Sequence, residues 1–175
     1  MKTIRLFLVE DDQLLREGIM EILKYQKDIK VVAASSNKKN AVLSIHKLKP
    51  DVVLMDLGLR SANSLQIVKL VRAEFPKAKV IVMDLAPAPA DIAQFVSAGA
   101  SGFILKQITV EQFLQTIRDV ADGKEVLPPL LPESLLAQIV DYAIRSRGAA
   151  STKSKAPAKR LRVLPTKKRI VTKAS

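Results

Sequence analysis

Five short aliphatic runs punctuate this chain, and they constrain its fold more than any other feature. IRLFLV (4–9), IKVVAA (29–34), DVVLMD (51–56), AKVIVMD (78–84) and SGFILK (101–106) are nearly continuous in apolar residues rather than alternating. A strand with one wet face alternates apolar and polar side chains, whereas an unbroken run fits a strand covered on both faces. Between the runs lie stretches with apolar residues at helical spacing. Residues 13–25 place Leu14, Leu15, Ile19, Ile22 and Leu23 on that period, and stretches 41–48, 64–75, 91–98 and 110–121 follow. The last carries Val110, Phe113, Leu114, Ile117 and Val120, and Gly123 stops it. Five strand–helix units in order predict an α/β fold, a doubly wound five-stranded parallel sheet with right-handed crossovers. Ligands of such sheets bind at the carboxyl ends of the strands, where the strand order reverses.

The net charge of +12 on 175 residues is unevenly spread. From Arg147 onward there are ten Lys/Arg and no Asp/Glu, so the preceding part is nearly neutral. The chain divides into a globular domain (1–124), a proline-containing linker with an amphipathic helix (125–147), and a basic tail of disordered composition (148–175). There is no Cys and a single His, which excludes disulfides and argues against thiolate zinc sites and Cys-His hydrolases. His46 beside Lys47 reads as a surface residue. No run approaches the roughly 20 apolar residues of a membrane span, and acids follow the first apolar run directly, as in a strand rather than a signal peptide. A cytoplasmic protein without membrane contact is the expectation.

Charged side chains collect at the carboxyl ends of the runs. Glu10, Asp11 and Asp12 follow the first, Asp56 ends the third, Asp84 ends the fourth and Lys106 ends the fifth. The fold brings these to one rim. Carboxylates without Cys or His suit a hard cation such as Mg²⁺, which takes one or two carboxylates, waters and a phosphate. An Asp can act as nucleophile and form an aspartyl phosphate. A lysine can balance the incoming charge. The chemistry implied is phosphoryl transfer to a carboxylate.

VEDD (9–12), DVVLMD (51–56) and GASGFILK (99–106) resemble the receiver domain of bacterial two-component response regulators, over roughly residues 3–122. REGI (16–19) and DGKEVLPPLLPESLLAQIV further resemble the NarL/LuxR-type subfamily. The resemblance implies strand order 2-1-3-4-5, with Asp56 as phosphoacceptor. Glu10 and Asp11 match the acidic pair, Asp11 as the direct Mg²⁺ ligand, with Asp56 and the Gly58 carbonyl completing the metal set. Lys106 matches the lysine that contacts the phosphoryl group, and Phe103 stands at the aromatic switch position. Asp12 lies one place beyond the pair and reads as a solvated or helix-capping residue. A histidine kinase is the implied partner. Homodimerisation is expected through the face of the fourth helix, fifth strand and fifth helix, or through the C-terminal helix. No enzymatic activity is implied beyond phosphorylation and dephosphorylation of the receiver aspartate.

The chain departs from the family pattern at several positions. Asp84 occupies the place of a switch Thr/Ser, and an ionised Asp accepts hydrogen bonds but cannot donate one. It also adds negative charge among carboxylates. Leu85 replaces a small residue, Arg60 a proline and Ser64 a glycine, while Pro87 and Pro89 are expected to shorten the fourth helix. These departures leave two readings: a receiver with a modified switch that accepts a phosphoryl group weakly, or a phosphorylation-independent interaction module. The subfamily's C-terminal helix-turn-helix does not fit in the residues after the linker helix. The tail, with Lys159, Arg160, Arg162, Lys167, Lys168 and Arg169, fits nonspecific, salt-dependent contact with nucleic-acid phosphates, and equally a solubilising or truncated segment. It has no aromatic residue to stack on bases.

Overall fold

A computed structural model of the chain describes residues 2–36, 38–56, 62–84, 89–105, 107–128 and 161–163. For residues 38–40, 62, 63, 84, 89, 90 and 161–163 it describes the main chain alone. The elements run β1 (Ile4–Val9), α1 (Gln13–Lys24), β2 (Ile29–Ser35), α2 (Lys38–Leu48), β3 (Val52–Asp56), α3 (Ala62–Glu74), β4 (Lys79–Asp84), α4 (Pro89–Ala98), β5 (Gly102–Leu105), α5 (Val110–Ala121), β6 (Glu125–Leu127) and β7 (Leu161–Val163).

The strands form one parallel sheet in the order β2-β1-β3-β4-β5-β6-β7. The expected five strands and their order are all present. The sheet is longer than expected, because the start of the linker and a piece of the basic tail each add a short strand. Val126 pairs with Gly102, and residues 161–163 pair in register with residues 125–127. Neither addition has the length or periodicity that marks a strand in sequence. The remainder of the linker helix and the tail lies outside the described residues.

Alternation within the apolar runs builds two cores. Phe7, Val9, Val53, Met55, Val80, Val82 and Phe103 face one way and pack with residues of α2, α3 and α4. Leu6, Leu8, Val52, Leu54, Ile81, Met83 and Ile104 face the other way and pack with α1 and α5. This division explains the unbroken runs: every second side chain enters one core and its neighbour enters the other. The sheet approaches α5 closely at Gly102, where an added Cβ would lie 2.7 Å from Val120 Cγ2.

The helix ends are fixed locally. Asp12 caps α1, as expected, its Oδ1 accepting from Leu15 N–H at 2.9 Å. Thr109 and Gln112 form a reciprocal capping box at α5. Pro89 opens α4 at its first position, where a missing N–H is harmless, so α4 keeps ten residues and begins two residues before the expected start. Among the described residues no helix is long and apolar enough to cross a membrane.

Candidate functional site

β1 and β3 lie side by side with Leu8 beside Leu54 and Val9 beside Met55. Glu10 directly follows β1 and Asp56 ends β3, so adjacency in the sheet brings together two residues far apart in sequence. Each is buried, at 1% and 7% exposure, while Asp11 is exposed. One carboxylate oxygen from each of Glu10, Asp11 and Asp56 lies within 4.8 Å of the others. Such a cluster of like charges is unfavourable without a counter-charge.

Glu10 carries most of that tension. Its Oε1 accepts from Asp12 N–H at 3.0 Å, but its Oε2 is buried with no hydrogen-bond partner among the described residues. Burial pushes its pKa from 4.5 up to about 7, against the Asp12 hydrogen bond, with the charges of Asp56, Asp11 and Asp12 adding to the rise. A buried glutamate with an orphaned oxygen, clustered with two more carboxylates and with no His or Cys in the cluster, is the donor set a hard divalent cation requires. Mg²⁺ fits these residues.

The loop that presents the acids is braced. Glu10 N–H donates to Ser35 O at 3.0 Å, and the Arg16 guanidinium donates to the carbonyls of Glu10 at 2.9 Å and Asp11 at 3.4 Å. Beside the cluster an apolar cavity of about 440 Å³ opens between α1 and α5, lined by Asp56, Leu15, Ile19, Met83, Ile108 and Phe113 among others. Neither feature carries a signal in the sequence: the Arg16 contacts need α1 folded back on the loop after β1, and the cavity needs α1 and α5 laid against the sheet.

Other expected positions fall as follows. Phe103 is buried in the core shared with α4, at 1% exposure. Asp84 ends β4 and pairs through its main chain opposite Leu105. Arg162 lies in β7, paired with Val126. His46 is exposed on α2, its ring edge-on to Phe75 at 5.9 Å. Ser64 is buried in α3. Gly58, Arg60, Leu85, Lys106, Lys159, Arg160, Lys167, Lys168 and Arg169 lie outside the described residues.

Residues 6–118 match the family description "Response regulator receiver domain". The chain belongs to that family. It is 30% identical over 133 residues to the transcriptional regulatory protein LnrK of Bacillus subtilis, covering 76% of this chain and 60% of LnrK. It is 28% identical over 127 residues to the response regulator protein VraR of Staphylococcus aureus, covering 73% of this chain and 61% of VraR. The chain thus spans about 60% of the length of these relatives. The signal receiver domain of NarL from Mycobacterium tuberculosis superposes with a TM-score of 0.66 at 27% identity, covering 71% of this chain and all of that domain. These relatives place the receiver among those of NarL/LuxR type, and it is a receiver domain of two-component signalling.

Proposed function

We propose that this receiver accepts a phosphoryl group on Asp56 in the presence of Mg²⁺, from a histidine kinase in the cytoplasm, and more weakly than a receiver with a hydroxyl at position 84. The observation that carries the proposal is Glu10, buried with its Oε2 unpartnered among the described residues and with one carboxylate oxygen within 4.8 Å of those of Asp11 and Asp56. A receiver without a cation would gain nothing from that arrangement, since the charges of Asp56 and Asp11 make it harder for the buried Glu10 to ionise.

Glu10, Asp11, Asp56 and the Gly58 carbonyl would hold the ion, which when bound offsets the negative charge of the cluster and of the phosphoryl oxygens. The Asp56 carboxylate attacks phosphorus and the donor's leaving group departs on the opposite side. The apolar wall of Leu15, Met83, Ile108 and Phe113 beside Asp56 limits water at the acceptor. Lys106 supplies a positive charge to the phosphoryl group. Asp84 and Leu85 oppose the transfer, one by charge and the lack of a donor proton, the other by bulk. Phe103 is assigned the aromatic switch position, and its burial limits that role to a change in core packing.

Labelling by acetyl phosphate with and without Mg²⁺, compared with Asp56→Asn, tests the assignment. Label that requires both Asp56 and Mg²⁺ is the expected result. Absence of label at saturating donor would sink it and leave a phosphorylation-independent module. Nucleic-acid contact by the tail is a separate proposal, tested by deleting residues 148–175 and measuring DNA binding across salt concentrations.

A further inference from the structure

Arg16 lies on α1 one turn beyond its cap, and its side chain reaches back toward the strand rather than out to solvent. Its Nη1 donates to the Glu10 carbonyl at 2.9 Å and to the Asp11 carbonyl at 3.4 Å, and the residue is half-buried. These two peptides carry two of the three clustered carboxylates. We propose that Arg16 is a positioning residue for the cation site. It ties up the carbonyls of the loop so that the carboxylates of Glu10 and Asp11 turn toward Asp56. The inference rests on the acidic cluster being a cation site, as proposed above.

Three carboxylates with oxygens within 4.8 Å repel one another, so the loop needs restraint to keep them convergent. Hydrogen bonds within the loop supply part of it: Asp12 N–H to Glu10 Oε1, Leu15 N–H to Asp12 Oδ1, and Arg16 N–H to the Asp12 carbonyl. None of these engages the carbonyls of Glu10 and Asp11. The guanidinium does, and its planar fork lets one nitrogen span both oxygens with little freedom left in the side chain.

A guanidinium near a cation site has two opposed effects. Its charge repels the ion, while its hydrogen bonds orient the ligands. At a partly exposed position solvent and salt screen the charge effect. Orienting partners behind metal ligands typically account for roughly 10–100-fold in metal affinity. Orientation therefore outweighs repulsion, and losing Arg16 weakens binding although it removes a positive charge.

The test compares the full chain with Arg16→Met and Arg16→Lys, using Mg²⁺ alone as the probe in titration calorimetry. Metal-free amide exchange at Asp12 and Leu15 and thermal unfolding in chelator are measured alongside. Arg16→Met should bind Mg²⁺ about 10–100-fold more weakly. Arg16→Lys should fall between, because an ammonium keeps the charge and can reach one carbonyl. Exchange at Asp12 and Leu15 should quicken in Arg16→Met, while metal-free unfolding shifts by only a few degrees. Equal or tighter Mg²⁺ binding by Arg16→Met overturns the proposal, and so does an affinity loss wholly matched by lost metal-free stability. Should Arg16→Met fail to fold, Arg16→Lys decides, since wild-type affinity there would show that the fork is not needed. Failure of the unaltered chain to bind Mg²⁺ is a different outcome, which removes the cation-site reading itself and this proposal with it.

Discussion

Arg118 on α5 grips Asp28 in the turn before β2 with two hydrogen bonds, Nε to Oδ2 at 2.6 Å and Nη2 to Oδ1 at 2.9 Å. The pair joins residues 90 apart in sequence. Nη2 also donates to Gln26 Oε1 at 3.0 Å. The contact fastens α5 to the turn between α1 and β2, on the α1–α5 side of the sheet that also carries the apolar cavity.

The hydrogen bond from Arg118 holds the Asp28 carboxyl below its usual range, against a burial effect that would raise it. A depressed carboxyl contributes stability above its unfolded pKa and loses it as pH falls through its folded one. Arg118→Met should therefore cost about 1–3 kcal/mol at pH 7, with the difference from the unaltered protein shrinking below pH 4. Chemical denaturation at pH 7 and pH 3.5 measures it. A constant difference at both pH values would show that lost packing, not the ion pair, is responsible.

Glu10 has the opposite sign. Its folded pKa of about 7 stands above the usual 4.5, so ionising it in the fold is unfavourable, and stability declines as pH rises from about 4.5 through 7. Glu10→Gln should raise metal-free stability at pH 8 by up to about 3 kcal/mol and change little at pH 4. The same variant should lose most of the stabilisation that Mg²⁺ gives the parent. Unfolding curves with Mg²⁺ and with chelator at the two pH values check both halves.

Lys49, just past α2, holds φ at +46°, the left-handed region, directly before Pro50. A side chain there is strained, and glycine relieves the strain. Lys49→Gly should stabilise the receiver by about 0.5–1 kcal/mol, read as a rise in midpoint without a change in denaturant slope. A loss of stability would mean that the Lys49 side chain contributes more than the strain it imposes.

Asp84→Thr should restore a hydroxyl donor at the end of β4 and remove one negative charge from the rim. Acetyl phosphate labelling of Asp56 should rise by about tenfold or more. Leu85→Ala should add to the gain if bulk also limits access. Unchanged labelling in both variants would show that positions 84 and 85 do not limit transfer.

Much of the receiver was legible in the sequence because unbroken aliphatic runs and helical periodicity are local signals. α5 runs over the residues its periodicity marked, from 110 to 121, since Thr109 and Gln112 encode its start and Gly123 its stop. Asp12 was legible as a cap for the same reason. α2 and α3 begin earlier than their apolar periodicity, in polar turns that carry no hydrophobic signal. β6 and β7 were not legible, because three residues make a strand only when a sheet edge supplies partners.

That Glu10, Asp11 and Asp56 gather at the carboxyl ends of two strands on one rim follows from the apolar runs alone, since strand polarity and right-handed crossovers leave few other arrangements. The packed fold, by contrast, makes Glu10 buried, with one oxygen unpaired among the described residues and a raised pKa, while Asp11 stays exposed. It also decided that Arg16 spends its guanidinium on the loop carbonyls, and that α1 and α5 leave a cavity beside Asp56. Burial, pairing and charge coupling are properties of what surrounds a side chain. For these residues the surroundings come from β1, β3 and two helices about a hundred residues apart in sequence.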